Sequence, residues 1–239
     1  MARTLDPVAH AVRRDAFLDA AQRVMATKGY AQLSIQEVID ELSSSKGAFY
    51  HYFDSKAALL DGIVSRMVDA ATASLAPAIA DPDRSALEKF DAVFSGLASF
   101  KADRRELILE LMRVWLSDDN AVVREHFRRG VIAAMTPLLA TIIRQGVTEG
   151  SFTAASPDHA GRVFASLLIG ANEAATDLFA AHQDGAVTFE EVERTLTAYG
   201  DAFERILGAR PGSLGFADRS AVVREWFDAS TPVGQGGSA

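Results

Sequence analysis

Between Ser43 and Lys56 the chain reads Ser-Ser-Ser-Lys-Gly-Ala-Phe-Tyr-His-Tyr-Phe-Asp-Ser-Lys. Lys46, Tyr50, His51 and Tyr52 bring an ammonium, an imidazole and two phenolic hydroxyls into one short stretch. Ammonium and hydroxyl groups are good donors to phosphate oxygens. Gly47 and Ala48 beside them have almost no side chain, so a helix carrying them can lie close against a partner surface. A glycine inside a helix costs about 1 kcal/mol relative to alanine, and close approach is a reason to keep one. Asp54 is the one acid in the stretch. This is chemistry suited to a polyanion.

Two short helices must hold these groups. Ser34 followed three residues later by Glu37 is a capping box, in which each side chain satisfies the other's backbone amide. Ile35, Val38, Ile39 and Leu42 then repeat at helical spacing on one face. Ser43, Ser44 and Ser45 break that helix, because serine hydroxyls compete for nearby backbone groups. Ser45 caps the next helix, from Lys46 to about Tyr52, which buries Phe49 and Phe53 and leaves Lys46, Ala48, Tyr50, His51 and Tyr52 near the other side. Lys56 falls in the first turn of a third helix, where a cation opposes the helix dipole. An external phosphate relieves that conflict. The arrangement is that of a helix-turn-helix laying its second helix in the major groove.

The run Ser43 to Leu60, SSSKGAFYHYFDSKAALL, resembles the N-terminal signature of the TetR family of bacterial transcriptional regulators. The preceding TKGYAQLSIQEVIDE agrees in spacing. The resemblance implies DNA-facing positions at Lys46, Gly47, Ala48, Tyr50, His51 and Tyr52, and a backbone-phosphate position at Lys56. Ser34 and Ser45, at the two helix starts, complete the candidate DNA-binding set. Ser43 stands where that family usually has a turn glycine, and Ser44 where it has a small apolar residue. The likeness covers about the first 65 residues of 239; beyond it only helicity and length agree.

Charge by itself argues the other way. The formal net charge is −8. Residues 1–67 carry eight Lys/Arg and eight Asp/Glu, so the whole excess of acid lies in the remainder. Binding must come from local placement of charge. There is no cysteine, hence no disulfide and no thiolate metal ligand. The N-terminus has no apolar stretch of signal-peptide length, and no run of 18 uninterrupted apolar residues occurs. The expectation is a cytoplasmic protein without membrane contact.

Only helices are expected. Asp6-Pro7 starts one with the apolar stripe Val12, Phe17, Ala20, Ala21, Val24 and Met25, closed by Gly29. Arg13 and Arg14 on it read either as a solvated face or as phosphate contacts. A long helix from about Ser55 to Ile79 links head to body. Ser85–Glu88 is a second capping box and Thr188–Glu191 a third. Asp103 is the expected cap of a helix running to about Leu116, and Pro137 is expected to kink or divide a helix from Ala121 to Glu149. Ser156-Pro157-Asp158 starts a helix rich in Gly161, Ala165, Gly170, Ala171, Ala174 and Ala175. The resemblance implies that this helix and the last main one pair with their symmetry mates in a homodimer; the plainer reading is that they complete the monomer core.

The expected division is an all-α chain with a three-helix DNA-binding head at 8–56 (motif 34–53), a helical-bundle ligand-binding and dimerisation body at 57–210, and a tail at 211–239 with a short helix at 217–227. Phe94, Met112, Trp115, Phe127, Met135, Phe164 and Asn172, on body helices, are the candidate lining of a pocket for an unidentified small-molecule effector. Ordinary core is the alternative for each. The five histidines show no metal-ligand spacing, and neither a phosphate loop nor a nucleophile elbow is present. No cofactor, metal or enzymatic activity is expected. The resulting expectation is a homodimeric repressor, released by a small molecule from a pseudo-palindromic double-stranded operator. An activator, a regulator controlled by a partner protein, and a helical carrier without DNA binding are the alternatives.

Overall fold

The computed structural model describes residues 7–116, 120–216 and 219–228. The described residues hold ten helices and no strand: α1 (Pro7–Lys28), α2 (Ile35–Glu41), α3 (Lys46–Tyr50), α4 (Lys56–Ala80), α5 (Ala86–Ala102), α6 (Arg105–Trp115), α7 (Ala121–Glu149), α8 (Pro157–Gln183), α9 (Phe189–Leu207) and α10 (Ser220–Asp228).

The chain gathers into two compact units. The first takes the chain up to Ser74 together with Ser99–Ala134; the second takes Leu75–Ala98 and the chain from Met135. The first unit is wider than a three-helix head because α6 and the start of α7 share its core: Leu111, Val114 and Val123 are buried in the same cluster as Phe17, Val38 and Phe49.

Most of the expected local chemistry is present. The three capping boxes at Ser34, Ser85 and Thr188 each show the reciprocal bonds. Gly29, with φ +78°, accepts the left-handed position that ends α1. Several details differ. Val12 is 65% exposed, on the side of α1 away from the one through which His10 and Arg13 meet the helix-turn-helix. Asp103 does not cap α6; Arg104 takes the cap position without a side-chain bond. α7 is one helix through Pro137. Ser156 turns its hydroxyl to His159 Nδ1 at 2.7 Å instead of capping α8, whose first-turn Asp158 holds Arg144 at 2.7 Å. The tail helix starts at Ser220 rather than residue 217; residues 217–218, like Asp6 at the other end, lie outside the described residues.

In the second unit α7 and α8 cross at Gly161, where a Cβ would stand 2.9 Å from the Ala140 amide nitrogen. Phe90, Phe152 and Phe164 pack there ring against ring. By length and composition α4, α7 and α8 are apolar enough to cross a membrane, although none is an uninterrupted apolar run. In α4 the apolar stretch is 22% buried, with Leu59, Leu60, Ile63 and Val64 in the core of the first unit.

Candidate nucleic-acid interface

Phe49 anchors the site. It is fully buried, edge-on to Phe17 at 5.6 Å and tilted against Phe53 at 5.8 Å. Burying such a ring stabilises the fold by roughly 1.5–3 kcal/mol, so α3 cannot roll about its axis without losing that burial. The opposite side of α3 is thereby presented outward. Lys46, Gly47, Tyr50 and His51 are exposed there, and Ala48 is half-buried. A Cβ on Gly47 would meet nothing nearer than the Ser45 hydroxyl at 4.0 Å. No packing within the chain requires a glycine at that position, which leaves room for a partner.

The turn that aims α3 is unusual. Ser43 has φ +45°, and it is the one non-glycine residue with positive φ among the described residues. The Ser43 and Ser44 amides donate to Asp40 and Ile39 carbonyls at 3.0 and 2.9 Å. Arg13 reaches across from α1 to donate to the Ser44 hydroxyl at 3.0 Å. Its guanidinium also lies 5.6 Å from the Phe17 ring centre, and that of Arg14 lies 5.3 Å from Phe53. Arg13 stays exposed and Arg14 half-buried, so both touch the head while remaining open to solvent.

Three candidate residues have other engagements. Ser34 accepts the Glu37 amide and donates to the Glu37 carboxylate at 2.9 Å, so its hydroxyl is spent on the cap. Tyr52 is half-buried, its ring 5.7 Å from Phe17 and 4.6 Å from His10. Lys56 turns back to the α1–α2 turn: Nζ donates to the Ala31 carbonyl at 3.1 Å and sits 4.4 Å over the Tyr30 ring. Burial lowers its pKa, against the pull of Glu37. Ser45 accepts the Ala48 amide at 3.1 Å as the α3 cap. His10, outside the candidate DNA-binding set, joins this face. It stands 5.5 Å from His51, ring edge to face, beside the exposed side of α3, and no local spacing signals a neighbour forty-one residues away.

Glu37 also binds Lys28, and that bond, with those from Ser34, holds its carboxyl down to about 2. The Glu37 charge is thereby balanced by Lys28.

The seven candidate pocket residues divide between the two compact units. Trp115 and Phe127 meet edge-to-face at 5.2 Å and pack on the core of the first unit, in which Met112 also lies. Phe94, Met135, Phe164 and Asn172 belong to the second unit, where Phe94 and Phe164 lie 6.2 Å apart. A cleft of about 610 Å³ in the first unit is lined instead by residues such as Gln22, Met25, Arg105, Glu106, Leu107 and Glu110. On its wall the Glu110 carboxylate accepts the Tyr30 amide at 2.6 Å.

Residues 17–63 match the family model described as bacterial regulatory proteins, tetR family. Over that stretch the chain is similar to TetR-family proteins. It is 26% identical over 144 residues to the HTH-type transcriptional regulator EthR of Mycolicibacterium smegmatis, covering 53% of this chain and 66% of that protein. It is 25% identical over 150 residues to the HTH-type transcriptional repressor KstR2 of Rhodococcus jostii, covering 59% and 68%. The aligned stretch thus spans about two thirds of each relative. Among solved structures, RolR without ligand shares the fold, with TM-score 0.56 at 16% identity over 91% of this chain and 98% of that one. A TetR-family head is a DNA-binding module for transcription regulation, and its relatives are regulators rather than enzymes.

Proposed function

We propose that this chain is a homodimeric repressor that binds a pseudo-palindromic operator through α3 and leaves it when a small molecule binds the body. The observation that carries the DNA contact is the outward face of Lys46, Gly47, Tyr50 and His51 above a buried Phe49. Lys46, Tyr50, His51 and Ala48 are the contacts of first importance. Ser45 adds a hydroxyl at the α3 start, and Ser34, Tyr52 and Lys56 support the head that carries them. Two such helices must stand about 34–36 Å apart, or a multiple, to meet successive turns of one face of the duplex.

Dimerisation through α8 and α9 is supported by the surface of α8. The most apolar 18-residue stretch of that helix is 22% buried within the protein, and Val163 on it is 51% exposed. A second copy would cover what is open. Residues 8–56 act as the DNA-binding region and 57–210 as the region for ligand and dimer. α4 has residues in both compact units, so a tilt of that helix would carry an effector signal. Couplings of this kind amount to about 1–3 kcal/mol in typical systems. Repression also places the protein in the cytoplasm, with the chromosome.

The test is selection of bound sequences from a random duplex pool with the full chain, followed by anisotropy titration. The selected DNA should show two inverted half-sites, bound by two chains per duplex. Recovery of no enriched sequence at any salt concentration would remove the operator reading. Enrichment of a single half-site bound by one chain would remove the dimer.

A further inference from the structure

The chain does not stop where α9 ends. Gly208, at φ +60°, reverses it, and residues 209–216 run back along the second unit. Their anchor is Glu204 of α9, a buried carboxylate that accepts the Gly212 amide at 2.8 Å and the Leu214 amide at 3.0 Å. Leu214 is buried below. Phe216 then lies stacked on Phe203 at 5.3 Å and 22°, and edge-on to Phe94 at 4.7 Å. Gly200 makes this possible: a Cβ there would meet the Phe216 Cβ at 2.9 Å.

This closed position is imperfectly satisfied. Among the described residues, the buried side-chain polar atoms without a partner are the Ser213 hydroxyl and the Arg219 Nε, both on the C-terminal segment. A buried donor without an acceptor destabilises the arrangement that holds it. The other Arg219 nitrogens reach Asp91 at 2.6 Å and Ser95 at 3.3 Å, and its guanidinium lies 5.4 Å over Phe94. Phe216 itself is half-buried, so the slot it fills opens towards solvent.

We propose that residues 209–216 are a displaceable strap, and that the slot occupied by Phe216 between Phe94, Gly200 and Phe203 is a binding site for a flat aromatic molecule bearing an acidic group. An entering ring would replace Phe216 on the same two faces, stacked on one and edge-on to the other. Its acidic group would come within reach of the Arg219 guanidinium and supply the acceptor that Nε lacks. The strap closes the site until such a molecule competes for it. A regulatory role for the bound molecule rests on the proposed repressor reading. The site does not, because its test uses no DNA.

The probes are 1-anilinonaphthalene-8-sulfonate and its uncharged analogue N-phenyl-1-naphthylamine, titrated by fluorescence into the full chain. Phe216→Ala should bind the anionic probe at least tenfold more tightly than the unaltered chain, and the neutral probe less well than the anionic one. Adding Gly200→Leu, which refills the slot from below, should abolish the gain. A chain ending at Arg210, without strap or Arg219, should bind both probes equally. Unchanged affinity in a Phe216→Ala chain of native circular dichroism would overturn the proposal, as would a gain that survives Gly200→Leu. Should Phe216→Ala fail to fold, hydrogen exchange on the unaltered chain decides. The Gly212 and Leu214 amides should exchange at least a hundredfold faster than the Phe203 amide, and equal rates would rule out a displaceable strap.

Discussion

Ser43→Gly isolates the turn that aims α3. At φ +45° a residue with a Cβ is held in the left-handed region, at a cost of about 1–2 kcal/mol. Glycine removes that cost, while its extra freedom in the unfolded chain returns about 0.4–1 kcal/mol to the unfolded side. Ser43 is exposed, and the hydrogen bond that fixes it runs from its backbone amide to Asp40, so the substitution deletes no bond shown for its side chain. The net expectation is a gain of about 0.5–1 kcal/mol. For a chain of this size that raises the melting temperature by roughly 1–4 °C. Ser43→Val is the opposing control, since a branched Cβ fits φ near +45° worst of all. It should lose at least about 1 kcal/mol. Urea midpoints of the three proteins at constant slope are the measurement, with DNA affinity expected to stay level in Ser43→Gly because the turn keeps its direction. If Ser43→Val matches the unaltered chain, or Ser43→Gly lowers the midpoint as far as Ser43→Val, the turn is not strained and the argument fails.

Other substitutions separate binding from folding. Lys46→Ala should weaken DNA binding, cut the logarithmic salt slope by about 0.9, and leave the urea midpoint within about 0.5 kcal/mol; an unchanged slope would show that Lys46 meets no phosphate. Tyr50→Phe should lower operator affinity while its ring keeps its 5.4 Å edge contact with Phe49, and equal affinity would show that the hydroxyl donates to nothing on DNA. Lys56→Ala should destabilise the head by about 1 kcal/mol through loss of the Ala31 carbonyl and the Tyr30 ring, with little change in salt slope. A slope lower by about 0.9 would instead restore the phosphate role. Acid should loosen several helix starts together. The carboxyls of Glu37 and Glu125 are held at about 2 against an ordinary 4.5, Glu37 chiefly by Lys28 and Glu125 chiefly by Arg128, and those of Glu88 and Glu191 are lowered by Ser85 and Thr188. Their stabilisation is complete above about pH 4.5 and lost as pH falls towards about 2. Urea midpoints across that window should fall, less steeply in high salt because these groups face solvent, and a flat profile would contradict it.

Local chemistry made the reading frame of this protein legible without coordinates. A serine or threonine and a glutamate three apart close a capping box where the chain folds as helix, and Ser34, Ser85 and Thr188 all do so. Phe49 and Phe53, four apart, had to share one face, so Lys46, Tyr50 and His51 had to look away from them. These outcomes depend on residues within a turn or two of one another, and sequence displays such neighbours directly. The order of types around α3 therefore determined both the helix-turn-helix and its outward side.

Long-range placement was different. Tyr52 turned to Phe17 and His10, Lys56 to Ala31 and Tyr30, and Arg13 to Ser44, because each has a long or wide side chain that takes the best partner within reach. Those partners lie between twenty-five and forty-two residues away along the chain. The same limit applies to the candidate pocket: helical periodicity says that Trp115 and Phe94 face some core, but not which one. The left-handed Ser43, the carboxylate of Glu204 holding the returning strap, and Phe216 resting on Phe203 are likewise products of assembly. Sequence alone determined which faces exist, since that follows from spacing within a helix. Tertiary structure decided which faces meet, since that follows from the competition among all of them for a limited interior.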